Sequence, residues 1–506
     1  MVADQFIAAK TLELCRRAEQ LIAMAGRAIQ QQTPIHEVEN QFWQALREMG
    51  RQALEFFVHA QGDGDVGPEH SLPDGTKLAR SLQPVERPYL SIFGELTIRR
   101  FVYAQRDGQK IQFAAVDARL ALPESKFSYV LQDWDQQSAM EQPFTKVSDS
   151  LRKILGFTQH VDSLERINRQ MAQLVENFHA CQQIPPHNEE GQILVETADS
   201  KGVPIRRPAD AAPIDRHRQR PGPQPDRKRM ATVGAVYSVD RHYRTAEDVV
   251  DSLFRDPQEQ PPPHHTPRPR PHHKRMRASL NHLDAQGNFI DGRAAVFGWI
   301  SDETASRHAG TYKSIACIID GEESLWDACA TSHPDLPRTD ILDLLHVTPR
   351  LWEAAALFHP DNSTAAKRFV RERVLRILRG QVKSVIRGLR RMGTQQLQPK
   401  AQAKLKVICA YFTKNQDRMQ YHKYLACGFP IASGVIEGAC RNIVKDRMER
   451  TGMNWVISGA QAMLDLRCVY LSDQWEQFIE FRIQRETTRL YPYRDTLTPD
   501  PPACAA

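Results

Sequence analysis

Apolar residues recur at helical spacing in two parts of the first third of the chain, residues 1–62 and residues 126–185. In the first part, a Thr-Pro pair ending at Pro34 interrupts the pattern and predicts a hairpin of two long helices. In the second part, Gly156 separates two short amphipathic stretches, as in a helix-turn-helix. We expect the first part to pack internally or to join copies of the chain. The second part is expected to be a DNA-binding motif or a plain helical hairpin.

The segment between these helices, residues 63–125, has a different period. Residues that favour strands cluster around Gly94 over residues 88–104, which predicts a β-hairpin. This segment is therefore expected to be a loop followed by a small β-hairpin module.

Strand-like runs begin near residue 190 and continue to residue 348. Apolar residues lead into Asp199 and into Asp320, and each run is expected to be a buried strand that ends at its acid. The residues after the first acid predict a turn before the chain becomes extended again. Further strands are expected at 231–239 and 341–345, and helices at 294–309 and from residue 322.

Basic residues are concentrated in the second half of the chain. Residues 349–430 are predicted to be almost entirely helical. Between residues 367 and 391 an apolar stripe lies on one face, and the outer face is basic with Glu372 as its lone acid. Such one-sided charge favours a polyanionic partner over simple solvation. Two Pro-rich basic loops, 208–229 and 255–277, are expected to touch phosphates or remain solvated. The residues that we expect to contact DNA are Arg371, Arg376, Arg379, Lys383, Arg387 and Arg390 in the helical region, and Arg227, Lys228, Lys274 and Arg275 in the loops.

The composition is that of an ordinary globular protein, with 41% hydrophobic and 25% charged residues and a net charge of +6. Nine cysteines occur without a Cys-x-x-Cys pair, which argues against a zinc ribbon and predicts reduced thiols. Neither a signal peptide nor an apolar run long enough to span a membrane is present. We therefore expect a soluble, cytoplasmic and nucleoid-associated protein with no membrane partner.

Three acids suggest a metal site. Besides Asp199 and Asp320 at expected strand ends, Glu437 lies near the start of a helix that opens at Ser433, at the rim of its buried face. Their carboxylates offer the hard oxygen ligands that suit two Mg²⁺ or Mn²⁺ ions. Because three adjacent carboxylates repel one another, we expect the site to depend on these cations.

The identity of the second acid is open between Asp320 and a rival, Asp343, with Asp340 as a weaker possibility. Asp320 directly follows the apolar run, whereas Asp343 is expected inside a strand and so on the other face. We therefore prefer Asp320.

Four ordered strings carry a resemblance to a known family. They are Ala198-Asp199-Ser200-Lys201-Gly202-Val203-Pro204, Ile319-Asp320-Gly321, Asp343-Leu344-Leu345-His346, and Ser433-Gly434-Val435-Ile436-Glu437-Gly438-Ala439-Cys440 running to Arg450-Thr451-Gly452-Met453-Asn454-Trp455. Together with Ser91-Ile92-Phe93-Gly94 and Arg99-Arg100, they resemble the transposases of ISKra-type bacterial insertion sequences over roughly residues 5–490. The third string is similar to the Asp-x-x-His signature found after the second acid in several such transposases.

The resemblance implies an α/β fold: an RNase H-like mixed sheet with a large all-α insertion, preceded by a mainly α N-terminal region. The catalytic core would occupy residues 190–348 and 431–490, with the insertion at 349–430 and a flexible tail at 491–506.

The resemblance also implies a reaction. A DDE transposase cleaves the ends of its element in a Mg²⁺-dependent step and transfers them into target DNA. Asp199, Asp320 and Glu437 would be the catalytic and metal-binding residues, with Asp343 and His346 as signature residues beside them. The implied partners are double-stranded DNA, at the terminal inverted repeats and at the target, and further copies of the chain in a homodimer or higher oligomer.

Two alternatives remain open from the sequence. An RNase H-like nuclease or junction resolvase would cut DNA without strand transfer. A catalytically inactive relative would bind DNA and leave it intact.

Overall fold

The computed structural model describes residues 2–106, 108–206, 228–256, 267–284, 286–311, 313–332, 336–450 and 453–494, with side chains from residue 11 onward. Arg227, one of the predicted DNA contacts, lies outside these ranges. The part of the predicted tail (491–506) from residue 495 onward also lies outside them. The chain divides into two compact units. The flanking unit combines Met1–Leu174 with Trp475–Ala506, and the central unit is Val175–Gln474.

The flanking unit opens with the two predicted long helices, α1 (Val2–Gln30) and α2 (Ile35–His59), which are separated at Pro34 as the sequence indicates. Its other helices are α3 (Ala115–Arg119), α4 (Tyr129–Glu141), α5 (Phe144–Leu155), α6 (Val161–Ala172) and the C-terminal helix (Trp475–Leu490). Gly156 ends α5 in the left-handed conformation, and most of the predicted apolar positions of α5 and α6 are buried, although Ile154 is exposed. The short helical hairpin is therefore confirmed.

The strands of the flanking unit are β1 (Glu69–Ser71), β2 (Lys77–Arg80), β3 (Val85–Ser91), β4 (Gly94–Arg100) and β5 (Tyr103–Ala104). Strands β3 and β4 form the predicted hairpin, in which Ser91 pairs with Gly94 at the turn. The φ angle of Gly94 is 132°, which a side chain would disfavour. The three-stranded sheet β1-β2-β5 was not predicted.

The strands of the central unit are β6 (Ile193–Pro204), β7 (Lys228–Val239), β8 (His272–Leu280), β9 (His282–Leu283), β10 (Phe289–Ile290), β11 (Ser314–Ile319) and β12 (Arg338–Leu342). Five of them form one mixed sheet in the order β12-β11-β6-β7-β8. Strands β6, β7 and β8 are antiparallel neighbours, whereas β11 and β12 run parallel to β6. The mixed α/β character of the fold is therefore confirmed.

The helices of the central unit are α7 (Val175–Ala180), α8 (Ala246–Phe254), α9 (Gly292–His308), α10 (Glu323–Ser332), α11 (Leu344–Ala355), α12 (Thr364–Leu378), α13 (Val382–Gln396), α14 (Pro399–Asn415), α15 (Tyr421–Ala426), α16 (Gly434–Ala439), α17 (Asp446–Met448) and α18 (Ile457–Leu471). A π-helical segment, Cys440–Lys445, joins α16 to α17. One face of the sheet packs against α9 and α10, and the other packs against α8, α11 and the helices that follow α11. The predicted apolar stripe of residues 370–389 is buried in this second core, as amphipathic spacing indicates.

The first acid does not end its strand, and the turn predicted after Asp199 is wrong. Strand β6 continues through Asp199 to Pro204 because β7 pairs with its whole length, with Asp199 opposite Val233 and Pro204 opposite Lys228. This ladder satisfies the backbone groups of the intervening Ser-Lys-Gly segment, so a turn is not needed.

Three further corrections concern element ends. The predicted basic loops 208–229 and 255–277 are wrong at their C-terminal ends, because residues 228–229 begin β7 and residues 272–277 belong to β8. Among the described strands, β8 is the last in the sheet order and pairs with β7 alone, and an edge strand tolerates a row of charged side chains. The strand predicted at 341–345 ends at Leu342, and Asp343 instead caps the start of α11.

The described cysteines are free thiols, as expected. Cys317, Cys329, Cys409, Cys440 and Cys468 are buried, and Cys15, Cys181 and Cys427 are exposed. Within the described ranges, no helix has the length and apolar character needed to cross a membrane.

Candidate functional site: a row of carboxylates at one end of the sheet

Three acids stand side by side on neighbouring parallel strands. The register pairs Ala198 of β6 with Ile319 of β11, and Ile319 in turn with Leu342 of β12. The next residue on each strand is an aspartate, so Asp199, Asp320 and Asp343 form one row across the carboxyl end of the parallel part of the sheet. Neighbouring residues in register point to the same face, so their side chains share one side of the sheet. Open α/β sheets place ligands at such an edge.

Asp343 is the most enclosed member of this row, with a relative exposure of 1%. Its Oδ1 accepts from the backbone N–H of Leu345 at 2.8 Å, and its Oδ2 accepts from the backbone N–H of Ser433 at 3.2 Å. Its own N–H donates to the carbonyl of Ile319 at 3.0 Å. Both carboxylate oxygens therefore bind the starts of two helices, α11 and α16, which is a positioning role.

The start of α16 is also fixed to the first strand. The hydroxyls of Ser433 and Thr197 lie 2.9 Å apart, and both residues are buried. The Ser433 hydroxyl caps the helix by accepting from the N–H of Ile436 at 3.4 Å. Glu437 follows Ser433 by four residues, so one helical turn carries its carboxylate from this anchor toward the aspartate row. The sequence identified Ser433 as a helix start but gave no sign of its contact with Thr197.

The charges of these residues act on one another. Burial raises the pKa of Asp320, and the charge of Asp199 adds to that shift. Burial likewise raises the pKa of Glu437, with further contributions from Asp343 and Asp199. Asp199 is thus the shared neighbour of Asp320 and Glu437. The three predicted catalytic acids and both signature residues therefore lie close enough for their charges to act on one another.

His346 lies beside the most enclosed acid of the row. Its Nδ1 lies 3.8 Å from Oδ2 of Asp343, and this neighbour raises the pKa of the imidazole. Asp343, His346 and Glu437 each offer a ligand atom, and these atoms lie within 4.8 Å of one another. Carboxylate oxygens suit Mg²⁺ or Mn²⁺, so the chemistry of Asp199, Asp320 and Glu437 fits the expected ions.

A tyrosine from the helical insertion closes one side of the site. The ring of Tyr411 packs so closely on Gly321 that a side chain at residue 321 would overlap it. Burial raises the pKa of the Tyr411 hydroxyl to about 12, and Asp320 contributes to the shift. The spacing of residues in α14 gives no indication of this contact. Gly321 is therefore required by close packing beside Asp320.

The raised carboxyl pKa values predict how pH controls ion binding. The unfolded values are about 3.9 for Asp and 4.3 for Glu. Between those and the raised folded values, the ion-free folded chain binds more protons than the unfolded chain, so its stability falls as pH rises. The raised pKa of His346 acts in the same direction at higher pH. Divalent ions compete with these protons, so the increase in melting temperature produced by MnCl₂ should grow as pH rises.

Thermal melts in MnCl₂ and in EDTA across a pH series would measure this effect. Asp320→Asn should reduce both the increase in melting temperature produced by MnCl₂ and the pH dependence of that increase, whereas Asp284→Asn, in an exposed turn, should change neither. An increase that is constant with pH in the unmutated chain would contradict the assignment of these acids to a divalent-ion site.

The predicted DNA-contacting residues fall into different environments. On α12 and the residue after it, Arg371 contacts Asp251 and Arg379 donates to Glu247 at 2.9 Å, so acids of α8 offset part of the basic face. The sequence of these helices gives no sign of the two ion pairs, because Asp251 and Glu247 lie more than a hundred residues earlier in the chain. Arg371 and Arg379 take part in solvent-exposed ion pairs. Such pairs are weak, so these two side chains can exchange their acidic partners for other groups.

The other predicted DNA contacts in the helical region differ from those in the predicted loops in whether an acidic side chain lies nearby. Lys383 and Arg387 on α13 are exposed and have no acidic partner within the described part of the chain, whereas Arg376 and Arg390 donate to hydroxyls of Ser384 and Thr413. Lys228 lies 2.7 Å from Glu449.

Arg275 was expected in a solvated loop, but that placement is wrong. Its side chain is 14% exposed and is paired with Glu303 at 3.0 Å. Lys274, its neighbour on β8, is half-buried. Strand pairing turns alternate side chains inward, and the charge of Arg275 is compensated there by an acid of α9.

These differences predict which residues control the salt dependence of DNA binding. Each phosphate contact contributes about 0.9 to the slope of log K against log salt. Replacing both Lys383 and Arg387 by Ala should reduce that slope by about 2. Arg371→Ala should reduce it by less than about 1, because its charge is already offset by Asp251. Filter binding to duplex DNA at several salt concentrations would measure both, and an unchanged slope in the double variant would remove α13 from the DNA interface.

A scan against protein-family models and a search of the curated proteins find no match to this chain. What the site can do is therefore argued from its geometry and chemistry.

Proposed function

We propose that this chain is a DNA transposase with an RNase H-like catalytic domain, similar to those of ISKra-type insertion sequences. It would cleave the ends of its element and join them to target DNA, with Mg²⁺ or Mn²⁺ as cofactor. The observation that carries the proposal is that Asp199 lies beside Asp320 in the strand register and within electrostatic range of Glu437, although 237 residues separate Asp199 from Glu437 along the chain.

The order of elements supports the RNase H-like assignment. Strand β6, which carries Asp199, is followed by β7 and β8, with α8 between these two strands, and then by the short β9–β10 hairpin and α9. Strand β11 leads into Asp320, and after α10 and β12 come the helices of the insertion and then α16, which carries Glu437. The sheet extends from β6 to β7 and β8 on one side and to β11 and β12 on the other, so Asp199 lies on the strand where the order turns.

The chemistry follows from the residues at this edge. When bound, two divalent ions activate an attacking oxygen and stabilise the leaving oxygen of a phosphodiester. Asp199 and Asp320 would hold these ions, and Glu437 would complete the ligands of one of them. Asp343 holds the helix that carries Glu437, and its two committed oxygens favour Asp320 as the second catalytic acid. His346 lies beside Asp343, with its Nδ1 3.8 Å from Oδ2, and when protonated it would offset part of the negative charge of the site.

Joining of DNA ends distinguishes this function from its alternatives. The DNA on either side of the coding region supplies candidate ends, which can be placed on a supercoiled plasmid and incubated with the full chain, Mg²⁺ or Mn²⁺, and a target plasmid. A transposase gives breaks at the ends and covalent junctions with the target, which sequencing identifies. Breaks without junctions would indicate a nuclease or resolvase. Binding without breaks would indicate an inactive relative.

A further inference from the structure

A second set of chemically reactive side chains lies on the opposite face of the same strands. Cys317 of β11 is in register with Glu196 of β6 on one side and with Asp340 of β12 on the other. These residues precede the aspartate row by three positions, an odd number that turns their side chains to the other face. That face is covered by α9 and α10. The second row is thus about 10 Å along the strands from the first and is separated from it by the sheet.

Helix α10 adds a second thiol to this row. The Sγ atoms of Cys317 and Cys329 lie 2.9 Å apart, and the ligand atoms of Glu196, Cys317 and Cys329 all lie within 4.8 Å of one another. Each of the three residues is only 1% exposed. Two thiols and one carboxylate therefore converge on one point in the core.

We propose that Glu196, Cys317 and Cys329 form a buried structural Zn²⁺ site. Thiolates and a carboxylate are ligands that Zn²⁺ accepts in a tetrahedral site, whereas Mg²⁺ avoids sulfur. A pair of buried thiols alone behaves as apolar core and needs no ion. The buried carboxylate of Glu196 beside the two thiols favours a bound cation. Once both thiols have lost their protons, two thiolates and a carboxylate form a strongly negative set that a dication balances.

The geometry requires a small adjustment. A distance of 2.9 Å is well beyond the 2.03–2.05 Å of a disulfide bond and short of the sulfur separation of about 3.8 Å in a tetrahedral site with Zn–S bonds of about 2.3 Å. Rotation of one cysteine side chain supplies the difference. As the two Zn–S bonds form, each thiol releases its proton to solvent, so affinity rises with pH. The fourth position is left to Asp340 at the margin of the row or to water.

The site would have a structural consequence for the central unit. It would connect α10 to β6 and β11, the strands that carry Asp199 and Asp320 three residues further on. Metal-bound side chains on these strands limit their sliding relative to each other. The proposal does not depend on the proposed transposase function, since nothing in it involves DNA.

Metal analysis of the full chain tests the proposal. The protein would be expressed with added zinc, purified under reducing conditions without chelators and measured by mass spectrometry of its metals. We expect about one zinc per chain in the unmutated protein. The same content is expected in Asp320→Asn, which removes a carboxylate from the other row, and in Cys409→Ser, which removes a buried thiol elsewhere.

Cys317→Ser combined with Cys329→Ser should abolish zinc binding. Because that variant loses two buried groups, Glu196→Gln gives an independent measurement that keeps both thiols. It should weaken zinc affinity by at least about tenfold, the loss that follows even from removing an outer partner of a zinc ligand. A Co²⁺-loaded chain should show thiolate-to-metal charge-transfer absorption that the double cysteine variant lacks and Cys409→Ser retains.

Three results would overturn the proposal. One is an unmutated chain that carries no more zinc than the double cysteine variant. Another is zinc content and affinity that Glu196→Gln leaves unchanged. The third is a Cys317–Cys329 disulfide, found by peptide mapping of the protein as purified, in place of the metal. The joining assay on plasmid ends is unaffected by these outcomes, so failure here is separable from failure of the proposed function.

Discussion

Asp320→Asn should reduce metal-dependent cleavage of element ends by about a thousandfold or more, which corresponds to about 4 kcal/mol of transition-state stabilisation. The amide keeps the size and most hydrogen bonds of the carboxylate but loses its charge. It therefore weakens the hold on a divalent ion without disturbing the Asx-type turn in which Oδ1 accepts from the N–H of Glu322 at 2.9 Å. DNA affinity should stay within a few-fold.

Glu322→Gln is the matched control for this variant. Glu322 lies two residues from Asp320 and is paired with Arg293 at 3.5 Å, so its loss removes a nearby negative charge outside the aspartate row. Cleavage should be retained in this variant. Both proteins would be compared by the initial rate of plasmid nicking at saturating Mn²⁺ and by gel-shift affinity. Full cleavage by Asp320→Asn would contradict the assignment of the second acid.

Asp343→Ala should loosen the helix that carries Glu437. The substitution leaves the buried N–H of Ser433 and the half-buried N–H of Leu345 without their acceptor. An unsatisfied buried donor costs about 1–3 kcal/mol, so loss of the Ser433 contact should lower the opening free energy of residues 433–448 by about 2 kcal/mol. Amide hydrogen exchange in that segment should become roughly thirtyfold faster, and cleavage should fall because Glu437 is no longer held.

Asp284→Ala provides the comparison. Asp284 also accepts from two backbone N–H groups, those of Gln286 and Asn288, but it does so in an exposed turn where water can replace it. Its removal should leave exchange in residues 433–448 unchanged. If Asp343→Ala exchanges at the rate of the unmutated chain in that segment, Asp343 does not position α16.

Elements with a strong local signal were predictable from the sequence. The two N-terminal helices show a helical repeat, the hairpin around Gly94 is rich in residues that favour strands, and an uninterrupted apolar run leads to Asp320. Burial of the stripe on α12 and α13 follows from the same spacing. Asp320, Asp199 and Glu437 were identified as a group because each borders an apolar element.

Other features depend on partners that are distant along the chain. Strand β6 passes through a turn-like sequence because β7 pairs with it, and β8 forms from a basic stretch because it has β7 to pair with. The local sequence of β6 or β8 carries no information about the strand that pairs with it, so local propensity does not predict either feature. The Thr197–Ser433 contact spans 236 positions, so no local pattern indicates it. The Cys317–Cys329 pair was missed because a strand and a helix bring these thiols together without Cys-x-x-Cys spacing.

The central claim is that Asp199, Asp320 and Glu437 form one divalent-metal site. Crystals of the full chain soaked in Mn²⁺ and measured at an anomalous wavelength test it most directly, because the ion is located without reference to activity. We expect anomalous density at Asp199 shared with Asp320, with a second position at Glu437, and its loss in Asp199→Asn. Mn²⁺ bound elsewhere on the chain, with none at these three carboxylates, would contradict the claim.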